Sequence, residues 1–218
     1  MKTAGRNINV VIPMAGRGAR FQRAGVSTPK PLSPGKDKPL IWWAMQSLPY
    51  PPETYIFICL REHIEKHQLT TILKNIFGDR IRVVITENVT DGQACTVLLA
   101  REFINNNSEL LVFNCDTYFH CTLEQNINDY PNIAGFIPVF RSTNPRWSFA
   151  KVNDERYVTE VAEKKPVSCN ATVGLYYFRH GRDFVWAAEQ MISKELRVNG
   201  EFYVGPVYNE LIARGDKI

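Results

Sequence analysis

Short runs of β-branched and aromatic residues alternate with longer amphipathic stretches along the first half of the chain. Residues 8–12, 55–60, 81–86 and 110–114 are mostly apolar at successive positions, the pattern of strands covered on both faces by helices. The stretches between them, 39–48, 62–77 and 92–105, read as helices, the last with Asp91 as its cap. This β-α-β-α-β-α-β order predicts a parallel, helix-covered sheet. The second half changes rhythm. Residues 133–140, 149–152, 157–161 and 173–178 predict closely spaced strands, with a turn at Asn153 and Asp154. Helices are expected over 183–194 and about 203–214. The expected fold is a three-layer α/β domain, helix-sheet-helix, with a mixed but mostly parallel sheet. No Pro/Gly/Ser-rich linker interrupts it, so 1–218 reads as one domain with halves at 1–125 and 126–218.

Composition narrows the function classes. With 218 residues, 44% hydrophobic and 22% charged, the chain resembles an ordinary globular protein that needs no staples. The net charge of +4 (26 − 22) permits an anionic ligand. No dense basic run of the kind that tracks a nucleic acid accompanies it. The five cysteines lack C-x-x-C or zinc spacing and read as reduced thiols, which points to the cytoplasm. No signal peptide or membrane-length apolar run is seen. His63 and His67 lack the Glu of H-E-x-x-H and read as surface residues. Trp42, Trp43 and Trp186 read as packing residues.

The chemistry concentrates in VIPMAGRGARFQRAGVSTPKPL, residues 11–32. Glycines straight after a strand let backbone N–H groups turn toward an anion. Arg17, Arg20 and Lys30 add positive charge, and Pro29 and Pro31 stiffen the presentation of Lys30. A dinucleotide-binding G-x-G-x-x-G would need glycine where Phe21 stands, and a P-loop would need G-K-[ST]. A second candidate is Asp116, at the end of the apolar run 110–113, where α/β folds place ligands. A carboxylate there is costly unless it is paired or holds a metal.

The pairing of A-G-x-G-x-R-F with P-K-P-L resembles the signature of the nucleotide-sugar pyrophosphorylases, a nucleotidyltransferase family that includes small-molecule cytidylyltransferases. Later segments carry the likeness through most of the chain. Thr90-Asp91-Gly92-Gln93-Ala94 resembles the turn under the nucleotide base. Leu111-Val112-Phe113-Asn114-Cys115-Asp116 is similar to the strand ending in a metal-binding aspartate. Val161-Ala162-Glu163-Lys164-Lys165-Pro166 is similar to the V-x-E-K-P segment. Ala171 to Phe178 resembles the strand along the sugar, and Glu201-Phe202-Tyr203 the start of the late helix.

The resemblance implies a Rossmann-like fold and transfer of a nucleoside monophosphate from an NTP to a small phosphorylated acceptor, with Mg²⁺. It implies a nucleotide-binding first half and an acceptor-binding second half. Met14, Ala15, Gly16, Arg17, Gly18 and Ala19 would cradle the nucleotide, with Gly92 and Gln93 at the base. Arg20 and Lys30 would neutralise the departing pyrophosphate, and Asp116 would hold the metal. Glu163 would take acceptor hydroxyls and Lys164 the acceptor phosphate, with Ser148 and Gly174 alongside. A homo-oligomer is compatible with this reading; nucleic acid and membrane are not among the expected partners. A capsule or polysaccharide precursor pathway is the expected setting.

Three departures qualify the likeness. Glu87 stands where glutamine is frequent; a carboxylate only accepts, which suits the exocyclic amine of cytosine and favours CTP. Ser148 stands where a glycine is frequent, which opens the acceptor to a sugar 1-phosphate, phosphocholine or a phospho-amino acid. The second metal ligand usually follows the late helix, so either the sequence is a truncated form or Glu201 or Asn209 substitutes. A nucleotide-binding pseudo-enzyme is a rival. A glycosyltransferase would want D-x-D where Asn114-Cys115-Asp116 stands.

Overall fold

The computed structural model describes residues 8–18, 21, 23, 25–48 and 52–218. Its first half runs β1 (Ile8–Met14), α1 (Leu40–Met45), β2 (Thr54–Leu60), α2 (Arg61–His67), α3 (Leu69–Phe77), β3 (Ile81–Thr86), α4 (Gln93–Leu98), α5 (Arg101–Ile104), β4 (Glu109–Phe113) and α6 (Leu123–Asp129). Short strands follow: β5 (Gly135–Phe136), β6 (Val139–Arg141), β7 (Ser148–Val152), β8 (Val158–Glu163), β9 (Asn170–Thr172) and β10 (Leu175–Phe178). Helices α7 (Gly181–Ser193) and α8 (Tyr208–Arg214) close the order.

The main sheet has six strands in the order β3-β2-β1-β4-β10-β5. Its first four are parallel, and β10 pairs antiparallel with both β4 and β5. Alternate side chains of each strand enter opposite cores. Val11, Ile56, Ile58 and Val112 meet α4, α7 and α8 on one face. Val10, Ile12, Phe57 and Leu111 meet α1, α3 and α6 on the other. This double burial is why the strands read as continuous apolar runs, and it yields the expected three-layer α/β architecture.

A second sheet, four antiparallel strands in the order β6-β9-β7-β8, stands beside the first. Helix α8 joins the two. The Tyr208 hydroxyl donates to the Tyr177 carbonyl at 2.7 Å. Its ring stacks on Phe178 with centroids 4.4 Å apart, a contact worth about 1 kcal/mol beyond area burial. Asn209 accepts from the Val161 N–H and donates to the Val161 carbonyl, each at 2.8 Å.

Several expected elements divide where the backbone demands it. The helix expected over 62–77 breaks at Gln68, which adopts a left-handed conformation with φ 49°. The helix expected over 92–105 splits into α4 and α5. Residues 133–140 form β5 and β6, which belong to different sheets. The strand expected over 173–178 starts later, as β10 (Leu175–Phe178), after Gly174 at φ 83°; the separate β9 ends before it, at Thr172. Asp91 caps nothing: Gly92 stands at the N-cap without a side-chain bond, and Asp91 instead pairs with Arg197 at 3.1 Å. His63 is buried rather than on the surface. All five cysteines are free, and burial pushes the thiols of Cys59 and Cys115 up to about 12. Among the described residues no helix is long and apolar enough to cross a membrane.

Candidate functional site

A cavity of about 430 Å³ opens beside the carboxyl ends of β1 and β4. This is where parallel α/β sheets hold ligands, because the strand ends and the loops after them supply side chains and open backbone. Ala15, Gly16, Gly92, Gln93, Ser148, Glu163 and Gly174, all expected at the site, line it together.

The glycines there serve two purposes. At Gly92 (φ 124°) a Cβ would come within 2.5 Å of the Phe202 backbone. The chains are locked there by bonds from Phe202 N to Asp91 O at 2.8 Å and from Ala94 N to Phe202 O at 2.9 Å. At Gly174 a Cβ would lie 2.1 Å from Asn114 Nδ2, so its bareness makes room for that amide. Gly16 differs: a Cβ there meets nothing within 4 Å, and it is not among the positive-φ glycines. The fold itself therefore does not require a glycine at this position, and its backbone is left bare on the cavity lining.

Asn114, just after β4, links the walls. Its Oδ1 accepts from Gln93 Nε2 at 2.7 Å, and its N–H donates to the Gly174 carbonyl at 3.1 Å. Sequence reasoning missed its part, although it stands inside the quoted strand motif. Thr90 and Tyr203, quoted in motifs without a role of their own, also line the cavity, as do Arg146 and Trp147, which directly precede Ser148.

On the opposite wall Ser148 and Glu163 are register partners of β7 and β8. The Ser148 hydroxyl donates to Glu163 Oε2. Burial holds the Glu163 carboxyl above its ordinary value; Ser148 and Lys164 pull it down and Glu201 pushes it up. Beside them the Tyr176 and Thr172 hydroxyls are 3.0 Å apart. Lys164 does not continue the strand. It turns to φ 55°, its ammonium donates to the Tyr203 hydroxyl, and it lies 4.6 Å from that ring's centroid. It does not line the cavity. The bond to Tyr203 is the main cause that raises the Lys164 ammonium above its ordinary value.

Lys30 and Asp116, expected on separate tasks, form an ion pair with each other outside the cavity lining. Lys30 opens a short 3-10 turn, Lys30–Leu32, with its ammonium 5.6 Å from the Phe21 ring centroid. Gly18 adopts φ 62°, and its carbonyl accepts from the Phe21 N–H at 2.7 Å. Arg17 is exposed, and its charge is felt at Glu62 and His63. The Met14 side chain packs into the core. Ala19 and Arg20 lie outside the described residues. Glu87 is exposed and accepts from Arg61 Nε at 2.7 Å, away from the cavity lining. Asn209 cannot substitute as a metal ligand without leaving Val161, because both ends of its amide are used there. Among the described residues no group of three His, Cys, Asp or Glu could hold a metal.

The fold is that of an α/β protein with a cavity at the end of a mostly parallel sheet. The family model described as nucleotidyl transferase matches residues 9–197, and the chain belongs to that family; it is a nucleotidyltransferase. Among solved structures, a nucleoside-diphosphate-sugar pyrophosphorylase from Vibrio cholerae superposes with a TM-score of 0.82 at 27% identity, over 96% of this chain and 89% of that one. A UDP-glucose pyrophosphorylase complexed with UDP-glucose gives 0.74 at 18% identity, covering 96% and 88%. An inositol-1-phosphate CTP transferase from T. maritima gives 0.73 at 15%, covering 98% and 84%. The last two speak for the fold alone. No curated protein matches the sequence significantly.

Proposed function

We propose that the chain transfers a nucleoside monophosphate from an NTP to a sugar 1-phosphate or a similar small phosphorylated acceptor and releases pyrophosphate. The observation that carries this reading is the cavity itself. One wall offers the bare backbone of Gly16 beside Gly92 and Gln93; the other offers Ser148, Glu163 and Tyr176. An oxygen of the acceptor phosphate attacks the α-phosphorus in line. The bond from that phosphorus to the bridging oxygen breaks, and pyrophosphate leaves with the electron pair. Two anions meet in this step, so fixed positive charge around the phosphates lowers the barrier. In this reading Lys30, released from its pairing with Asp116, would neutralise the leaving group, the role the sequence motif also gives to Arg20.

Asp116 is a single carboxylate. A single carboxylate completed by substrate phosphates suits Mg²⁺, which is commonly held that way rather than in an all-protein cage. When bound, Mg²⁺ supplies charge neutralisation to the triphosphate. CTP is the first nucleotide to test, because Glu87 can only accept hydrogen bonds; to meet a base it must turn away from Arg61.

A matrix of NTPs against phosphorylated acceptors, read as pyrophosphate release, tests the proposal. Release is expected only with a matched pair. No release from any pair that includes sugar 1-phosphates, phosphocholine and phospho-amino acids overturns it. Within the matrix, Glu87→Gln is expected to shift preference from CTP toward UTP or dTTP. An unchanged preference removes Glu87 from base recognition.

A further inference from the structure

Among the described residues that line the cavity, Arg146 is the sole cation, set against the carboxylates of Glu163 and Glu201. Its charge is unspent: no carboxylate among the described residues pairs with it. It is also held in place. The guanidinium carbon lies 4.8 Å from the Trp147 ring centroid, and Trp147 is braced edge-on by Phe140 at 5.3 Å. The turn beneath is tied by Asn144, whose Oδ1 accepts from the Arg146 N–H at 3.2 Å and whose carbonyl accepts from the Trp147 N–H at 3.3 Å. The Trp147 carbonyl in turn accepts from the Lys164 N–H at 2.9 Å, which fixes the turn to the end of β8.

A planar guanidinium resting on an indole loses less freedom when it binds than a solvated one, and its fork matches the oxygens of a phosphate. Lys164, the cation expected on the acceptor phosphate, is occupied by Tyr203 and stands off the cavity lining. We infer that Arg146, supported from below by Trp147, binds the phosphate of the acceptor and sets its specificity for a phosphorylated compound. The inference rests on the proposed transferase reading and adds to it a binding residue for the second substrate.

Trp147 provides the readout. The protein has four tryptophans, and loss of one indole N–H signal in Trp147→Phe assigns its resonance. Uniformly ¹⁵N-labelled protein is titrated with inorganic phosphate, with glucose 1-phosphate and with uncharged glucose. The Trp147 signal is expected to move with both phosphates and not with glucose. In Arg146→Gln the apparent Kd read at that signal is expected to rise about tenfold or more, the loss of a charge-assisted bidentate contact. Arg146 is exposed, so the variant should retain the native spectrum elsewhere. A Trp147 signal silent to both phosphates, equally sensitive to glucose, or unchanged in Kd by Arg146→Gln overturns the inference. The backbone amide of Gly16, titrated with NTPs in the same samples, separates the two failures. If Gly16 responds while Trp147 fails, only the role of Arg146 is lost; if Gly16 is silent to every NTP, the transferase reading itself is at fault.

Discussion

Gly16 and Gly92 line the same cavity, and the fold constrains them in opposite ways. Gly16→Ala places its methyl in open space, so chemical denaturation should register a change within about 0.5 kcal/mol. NTP affinity, by contrast, should fall, because the methyl stands where the ligand approaches. Gly92→Ala drives a methyl into the Phe202 backbone at a positive φ and is expected to cost about 3 kcal/mol or more. Glu163 tests the electrostatics. Its buried carboxyl titrates above the ordinary 4.5, so folding favours the protonated form. That contribution is fully present below 4.5 and is lost as pH rises through the raised native value. Glu163→Gln should therefore gain Tm relative to the parent as pH rises from 4 to 8, an effect that parallel melts across that range would reveal. Gly16, Gly92 and Gly174 were legible because each stood in a quoted motif, whereas Gly205, which also lines the cavity, stood in none. Asn114 was not legible, since its part depends on Gln93 and Gly174 arriving from distant segments. The mutual pairing of Lys30 and Asp116 was hidden for the same reason.

At the scale of elements, the strands buried on both faces were legible almost residue for residue, because double burial leaves an apolar run that polar residues interrupt at both ends. The interruptions inside helices were not. Gln68 breaks the expected helix over 62–77 in a left-handed conformation at φ 49°, although glutamine is an ordinary helix former. A left-handed non-glycine residue costs about 1 kcal/mol, so Gln68→Gly is expected to be neutral or to stabilise by up to about that amount in urea unfolding. The second half was harder to read for a different reason. Strands of two or three residues, such as β5 and β9, are set by their neighbours in the sheet rather than by their own pattern. Asn209 shows what such strands depend on. Asn209→Ala strips both bonds from the Val161 backbone and should lower stability by about 2 kcal/mol, measured by the same urea curves.

At the scale of the whole molecule, the main sheet is not assembled in the order of the chain. Its parallel strands β3, β2, β1 and β4 are all in place by Phe113, yet the neighbour on the far side of β4 is β10, Leu175–Phe178. Sequence periodicity could suggest a parallel sheet but not this late insertion, which is a long-range choice between β5 and β10 for the open side of β4. The insertion has a consequence for synthesis. As the polypeptide leaves the ribosome, β4 emerges with an unpaired apolar edge, and that edge stays unprotected until Leu175–Phe178 has been translated. Exposed edges of this kind recruit other chains. Translation through 114–174 is thus the interval in which the nascent protein most needs a chaperone, and slowing the ribosome there should raise the insoluble fraction without changing a single amino acid.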